Sequence, residues 1–254
     1  MNIVERFHAA WVFEAGWNGL DLLPTALARA AAQVLDVEAV GISTMGREHR
    51  VPLGSSSPEA AVAERWQFTL GDGPCFAAYD GDDPVHADDE ALRNRWPALH
   101  DQLRQHTPFR STVTLPLGRG AARFGVLDVY FTATAVPESF VLADAQVVAS
   151  MIHTALLGAS LNAELTEVGS ADRPGGPVGA ADPNAWLDTP AIRERQHVWV
   201  AVGMCSLSLR LQAPDAFSLL RAHAYAAGRT LEDVADAVVS GTLVPEALEE
   251  PVDG

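Results

Sequence analysis

Arg110-Ser111-Thr112-Val113-Thr114-Leu115-Pro116-Leu117 and Phe124-Gly125-Val126-Leu127-Asp128-Val129-Tyr130-Phe131 are two β-rich runs with Gly118-Arg119-Gly120 between them. Branched and aromatic residues fill both runs, and the glycines allow the backbone to reverse. The pair therefore predicts an antiparallel hairpin at the centre of a sheet.

Toward the N-terminus, Glu38 to Thr44 and Arg50 to Ser55 read as a second hairpin turning at Met45-Gly46, with a short strand at Val85 and His86. Between and around the strands the apolar period becomes helical. Ile3, Phe7, Ala10, Val12 and Phe13 mark a helix over Asn2 to Glu14. A second has Asp21 as cap, Pro24 in its first turn and the stripe Leu27, Ala30, Ala31, Val34, Leu35. Ser57-Pro58-Glu59 opens a third, running through Trp66 into the irregular loop Gly71-Asp72-Gly73-Pro74-Cys75. Leu92, Trp96, Leu99 and Leu103 predict one helix over Asp89 to His106, and a long helix follows from Glu138 to about Leu165. Such an order describes one antiparallel sheet covered by helices, an α+β domain.

Beyond it, Gly169 to Pro183 holds four glycines, three prolines and no aromatic residue, the composition of a linker. Only helical patterns follow. Val198, Val202, Cys205 and Leu209 form a stripe within Ile192 to Leu211. Pro214 starts a helix with Phe217, Leu220, Ala224 and Ala227 on one side, stopped at Gly228. Thr230, with Asp233 at the capping-box position, starts the last, which ends at Gly241. The expected division is an N-terminal α+β domain at 1–166, a flexible linker at 167–188, an all-α three-helix bundle at 189–245 and an acidic tail at 246–254.

Composition narrows the function classes. With 48% hydrophobic and 20% charged residues, the 254-residue chain is that of a folded protein. No apolar run reaches the roughly 18 to 20 residues of a spanning helix, and Met1 to Arg6 lacks the pattern of an export signal, so a cytoplasmic protein without membrane contact is expected. Cys75 and Cys205 are too distant in sequence for a CxxC motif. The net charge of -16 excludes coating of nucleic acid by an overall field, so any such site must be local. All 17 basic residues are Arg.

Catalytic patterns are absent. There is no His-x-x-x-His pair, Gly-x-Ser-x-Gly elbow, Walker loop or dinucleotide glycine motif, so no enzyme, metal or cofactor is expected. Cys75, just past Gly-Asp-Gly-Pro, reads either as a thiol activated at a helix start or as a small residue packing a loop onto the sheet; Asp72 and the Asp80 to Asp83 cluster favour the second.

Trp66 to Cys75, Arg95-Trp96-Pro97, Ser111 to Leu117 and Phe124 to Tyr130 together resemble the GAF domain of actinobacterial regulators, over about Leu20 to Leu161. The resemblance implies a sensing or dimerising module with a small-molecule pocket between sheet and crossing loops. Trp66, Cys75, Phe76, Trp96 and Tyr130 are the lining candidates, each also readable as core. The bundle is similar to the ANTAR domain over about Thr189 to Leu243. That likeness rests on Ala201-Val202-Gly203-Met204, Asp215-Ala216-Phe217, Leu220 to Ala224, Gly228 to Leu231 and Asp233 to Val239. It implies a dimer that binds paired hairpins in a leader transcript and antiterminates transcription.

Ser218, Arg221, Ala222, Tyr225 and Arg229 fall on one helical face opposite Phe217, Leu220 and Ala224, and offer Arg and Tyr to phosphates and unstacked bases. With Arg210 and Thr230 they make the RNA-contact candidates. The alternative reading has Arg221 and Arg229 solvated or paired with Asp215 and Glu232. From Arg193 to Arg229 five Arg stand against two acids, whereas Leu231 to Gly254 carries seven acids and no Arg. Gly203, inside a helix, reads as the site of a close helix crossing near Ala201, or of a ligand's approach. Apolar surface to spare on Asn2 to Glu14 and Glu138 to Leu165 predicts a homodimer. The expected protein is a sensor joined to an RNA-binding antitermination effector, and the other reading is a dimerising interaction module without RNA affinity.

Overall fold

In the computed structural model, which describes residues 1–18, 23–45, 50–170 and 190–249, the central hairpin forms as expected. β4 (Ser111–Leu117) and β5 (Gly125–Phe131) pair antiparallel, with Ser111 opposite Phe131 and Leu117 opposite Gly125. β1 (Ala39–Met45) joins the other side of β5 and carries β2 (Arg50–Ser55) at its outer edge; β3 (Val85–Ala87) extends β4. The order is β2-β1-β5-β4-β3, antiparallel throughout.

Alternation along the strands loads both faces. Val40, Ile42, Val113, Leu127, Val129 and Phe131 point into a core made with α1 (Ile3–Asn18), α2 (Leu23–Leu35) and α7 (Leu142–Ser170). Ala39 and Tyr130 face the other way, toward α3 (Pro58–Leu70), α5 (Asp89–Arg95) and α6 (Pro97–His106). Ser57 caps α3, accepting a hydrogen bond from the Ala60 N–H at 3.1 Å.

The expected helix over Asp89 to His106 is two helices. Pro97 has no N–H to give and its ring crowds the preceding turn, so the chain breaks at Trp96 and restarts. Pro74 likewise starts a helix inside the expected loop, α4 (Pro74–Gly81). α7 begins at Leu142, four residues after Glu138, and reaches Ser170, into the expected linker. Contrary to expectation, its Leu142–Ala159 window has the length and a mean hydropathy, 1.3, of a membrane-crossing segment. Here Ala145, Val148, Ala149, Ile152 and Leu156 pack on the sheet. The remainder of the expected linker, the Asp21 cap, Gly46 and the end of the acidic tail lie outside the described residues.

The C-terminal unit consists of α8 (Pro190–Leu209), α9 (Ala213–Ala226), α10 (Leu231–Val239) and a 3₁₀ turn at Pro245–Glu249. Thr230 and Asp233 form the capping box that the sequence predicts. One member of its apolar core is not its own: Phe68, from α3, is fully buried among Val198, Phe217, Leu220, Leu231 and Val234.

Candidate functional site

The two units meet at helix ends. The last carbonyls of any helix lack partners within it, and at the end of α3 the Phe68 carbonyl accepts a 2.8 Å hydrogen bond from Arg221 Nη2 of α9. The guanidinium lies 4.3 Å from the Phe217 ring centre and 5.7 Å from that of Phe68, a cation held between two aromatic faces. Burial pulls its pKa down to about 10. Gly71 closes α3 with φ 67°, and a side chain there would run into the Arg221 guanidinium. Two residues before Gly71, Thr69 Oγ1 accepts a 2.9 Å bond from the Leu231 N–H, one of the donors left free at the start of α10.

A second contact joins α8 to the sheet edge. Arg195, 6% exposed, donates to the Pro52 carbonyl of β2 at 2.5 Å and faces Glu232 at 3.6 Å. Burial raises the Glu232 carboxyl, and Arg195 opposes that shift.

Behind α3, between helix and sheet, lies a fully buried polar cluster. Arg50 Nη2 reaches Glu64 at 2.5 Å and Asp128 at 2.8 Å, and its Nη1 donates to the Glu64 carbonyl at 2.8 Å. Tyr130 and Ser43 hydroxyls donate to the Glu64 carboxylate at 2.6 Å each, Gln67 donates to Tyr130 at 2.8 Å, and Thr114 donates to Asp128 at 2.5 Å. Gly41 is required because any Cβ would occupy the place of the Glu64 carboxyl. One guanidinium faces two carboxylates. Burial and the neighbouring Glu64 together push Asp128 up to about 7, against the pull of Arg50. Because α3 carries both Glu64 and Phe68, the cluster and the contact with the C-terminal unit share one helix.

The Asp128 shift has a sign. A carboxyl whose folded pKa is raised holds its proton in the native state after the unfolded chain has lost it, so stability falls as pH rises from about 4 to about 7. Asp128→Asn keeps an acceptor without the charge. Its urea midpoint relative to wild type is expected to be higher at pH 8 than at pH 5, by roughly 2 to 4 kcal/mol in stability. Parallel pH profiles for the two proteins would contradict this.

The pocket candidates separate. Trp66, Trp96 and Tyr130 belong to one packed core, with Trp66 stacked on His106 and Tyr130 on Phe109. Cys75 and Phe76 sit in another, with Met45, Tyr79 and Val126. Burial pushes the Cys75 thiol well up, as befits a packing residue. A cavity of about 360 Å³ opens elsewhere, beside Leu115, Arg119, Gln146 and His153.

The expected RNA face is also divided. Ser218, Tyr225 and Arg229 are exposed, as is Arg210, which ends α8 with φ 57°. Arg229 donates to the Asp233 carbonyl, and Ser218 to that of Pro214. Arg221, by contrast, turns into the domain junction. Thr230 is 7% exposed, with its hydroxyl engaged by Asp233. Glu232 is an interface residue, buried and facing Arg195 of α8. These residues lie where α9 and α10 meet α3, a face that only docking buries. The Arg50–Glu64–Asp128 cluster escaped the sequence reading; its one signal was Asp128 within an apolar strand pattern.

An α+β unit and a helical unit that complete each other's helix ends and core define a two-domain protein. The helical unit is an ANTAR domain, whose family model matches residues 189–239. No curated protein sequence matches the chain. Its α+β part is similar to the GAF domain of a phosphoenolpyruvate-protein phosphotransferase from Coxiella burnetii, at 12% identity and TM-score 0.48 over 64% of this chain and 96% of that one. It is also similar to a domain of a putative two-component sensor histidine kinase from Sinorhizobium meliloti, at 11% identity and TM-score 0.46 over 59% and 98%. The free methionine-R-sulfoxide reductase of Neisseria meningitidis gives 17% identity and TM-score 0.42 over 60% and 86%.

Proposed function

We propose that this is a cytoplasmic, non-enzymatic regulator whose ANTAR domain binds leader-transcript hairpins and antiterminates transcription, under control of a ligand-sensing GAF-like domain. The observation that supports control is Arg221. It is the most interior cation of the candidate RNA face, and in this conformation it caps α3 of the sensor instead of facing solvent. A ligand or partner that displaces α3 frees Arg221 to join Tyr225 and Arg229, while docking withholds it. The sensor thus sets RNA affinity through the helix that also carries Glu64.

Arg229 tests RNA contact separately from docking, because it lies outside the junction. Arg229→Ala is expected to weaken binding to leader transcripts of the source genome by about 1 to 3 kcal/mol and to lower the salt dependence by about one phosphate equivalent. Thermal stability should change little. Electrophoretic shift across a salt series reads both quantities. If neither wild type nor an undocked variant binds RNA in a salt-dependent way, the function is protein interaction instead, as the acidic α10 and its sequel would favour.

A further inference from the structure

A cavity of about 320 Å³ lies at the junction itself, between α3, the β2 edge and α8. Pro52, Pro58, Ala61 and Val62 give it apolar walls, while Arg65 of α3 and Arg195 of α8 bring a guanidinium to it from either domain. Apolar walls with a few convergent charged groups, at a domain boundary, are the usual make-up of a small-molecule site.

Charge indicates what it takes. Arg195 donates to the Pro52 carbonyl and faces Glu232. Arg65 Nε is buried with no hydrogen-bond partner among the described residues, and a buried donor in that state calls for one. Glu232 is the carboxylate that interacts with both guanidiniums. Glu64 also borders the cavity, but its own carboxylate is turned to Arg50, Tyr130 and Ser43. Two cations against one anion leave a single positive charge unmatched, in a chain of net charge -16. A monoanion balances it. A phosphate dianion would exceed it and would press unpaired oxygens against proline and valine. The volume is near the lower end of small-molecule sites, roughly 300 to 1,000 Å³, which suits a ligand the size of benzoate and excludes a nucleotide.

We propose that this cavity binds a small monocarboxylate with an apolar body, its carboxylate held by Arg65 and Arg195 and its body set against the prolines, Ala61 and Val62. Guanidinium and carboxylate match in plane and spacing. Such a ligand touches α3 and α8 at once, so it binds the docked arrangement and shifts the population toward it. Resting on the reading that docking withholds Arg221, the bound carboxylate lowers RNA affinity.

Benzoate, phenylacetate and hexanoate are the probes, titrated calorimetrically into the full chain, with benzyl alcohol as a neutral counterpart and inorganic phosphate as an anion without a body. At least one carboxylate is expected to bind with a Kd below about 1 mM and to raise the melting temperature. Benzyl alcohol and phosphate should bind at least tenfold more weakly. Arg65→Met keeps the side-chain stem and removes the charge; Ala61→Leu keeps both guanidiniums and fills the cavity. Each should lower carboxylate affinity at least tenfold with an unchanged circular dichroism spectrum. The proposal is overturned if none of the three carboxylates binds at about 10 mM, if phosphate or benzyl alcohol binds as tightly, or if either variant binds as wild type does. Control through docking would then still stand or fall on the Phe68→Ala variant. Carboxylate binding that both variants abolish, with RNA affinity the same in its presence and absence, keeps the site and removes docking as control.

Discussion

Arg50→Met is expected to cost about 3 to 5 kcal/mol, enough to leave the α+β domain largely unfolded in modest urea. Methionine occupies much of the space of the arginine stem, so packing is nearly kept. Charge is not. Glu64 and Asp128, buried at 1% and 0% exposure, would lose the cation that, among the described residues, contacts both. Asp128 can retreat by holding a proton, as its raised pKa shows; Glu64 would keep its Tyr130 and Ser43 donors but no counter-ion. Adding Glu64→Gln and Asp128→Asn to Arg50→Met should recover a large share of the loss, because what destabilises is the uncompensated charge and not the absence of the salt bridge itself. Urea unfolding followed by circular dichroism measures both variants. A loss below about 1 kcal/mol for Arg50→Met would mean that the cluster is solvated in solution, and that its role behind α3 is wrong.

Phe68→Ala should have a comparable cost, about 3 to 5 kcal/mol, and a different signature. The ring belongs in sequence to the α+β domain and in packing to the helical domain, where it is buried against Phe217. Its removal takes the helical domain off α3 rather than emptying the α+β domain's own core, and it withdraws one of the two rings that hold the Arg221 guanidinium. Calorimetry is therefore expected to resolve two transitions, the helical domain melting earlier and the α+β domain near its former temperature. If docking withholds Arg221 from RNA, the same variant should bind leader transcripts more tightly than wild type wherever the helical domain remains folded. An unchanged single transition would show that the junction contributes little to docking. Separated transitions with unchanged RNA affinity would leave docking intact as structure and remove it as control.

Much of this architecture was legible locally. The β4/β5 hairpin, β2, the stripe of α2 and the Thr230 capping box follow from periods of two and of 3.6 and from turn and cap chemistry, all set by neighbours within a few positions. The break at Trp96-Pro97 was equally local; proline carried the signal, and the continuing apolar period concealed it. The ANTAR resemblance, too, was carried by spaced short segments in the right order.

Other features depended on which surfaces meet. Arg221 stands one helical turn after Phe217, about 40° from it on a helical wheel and so at the edge of the expected exposed face; a helix in a two-domain protein can be covered on more than one side, and here the end of α3 covers the side with Arg221. Periodicity marks Phe68 as buried but not by which domain. Arg50, Glu64 and Asp128 are separated by up to 78 positions, and only the pairing of β1, β2 and β5 beneath α3 places them together. Helical and strand periods arise from interactions between near neighbours, which the sequence by itself determines. The direction of a polar side chain, and the partner that meets its charge, are decided by contacts between distant segments, and those exist only once the domains have packed.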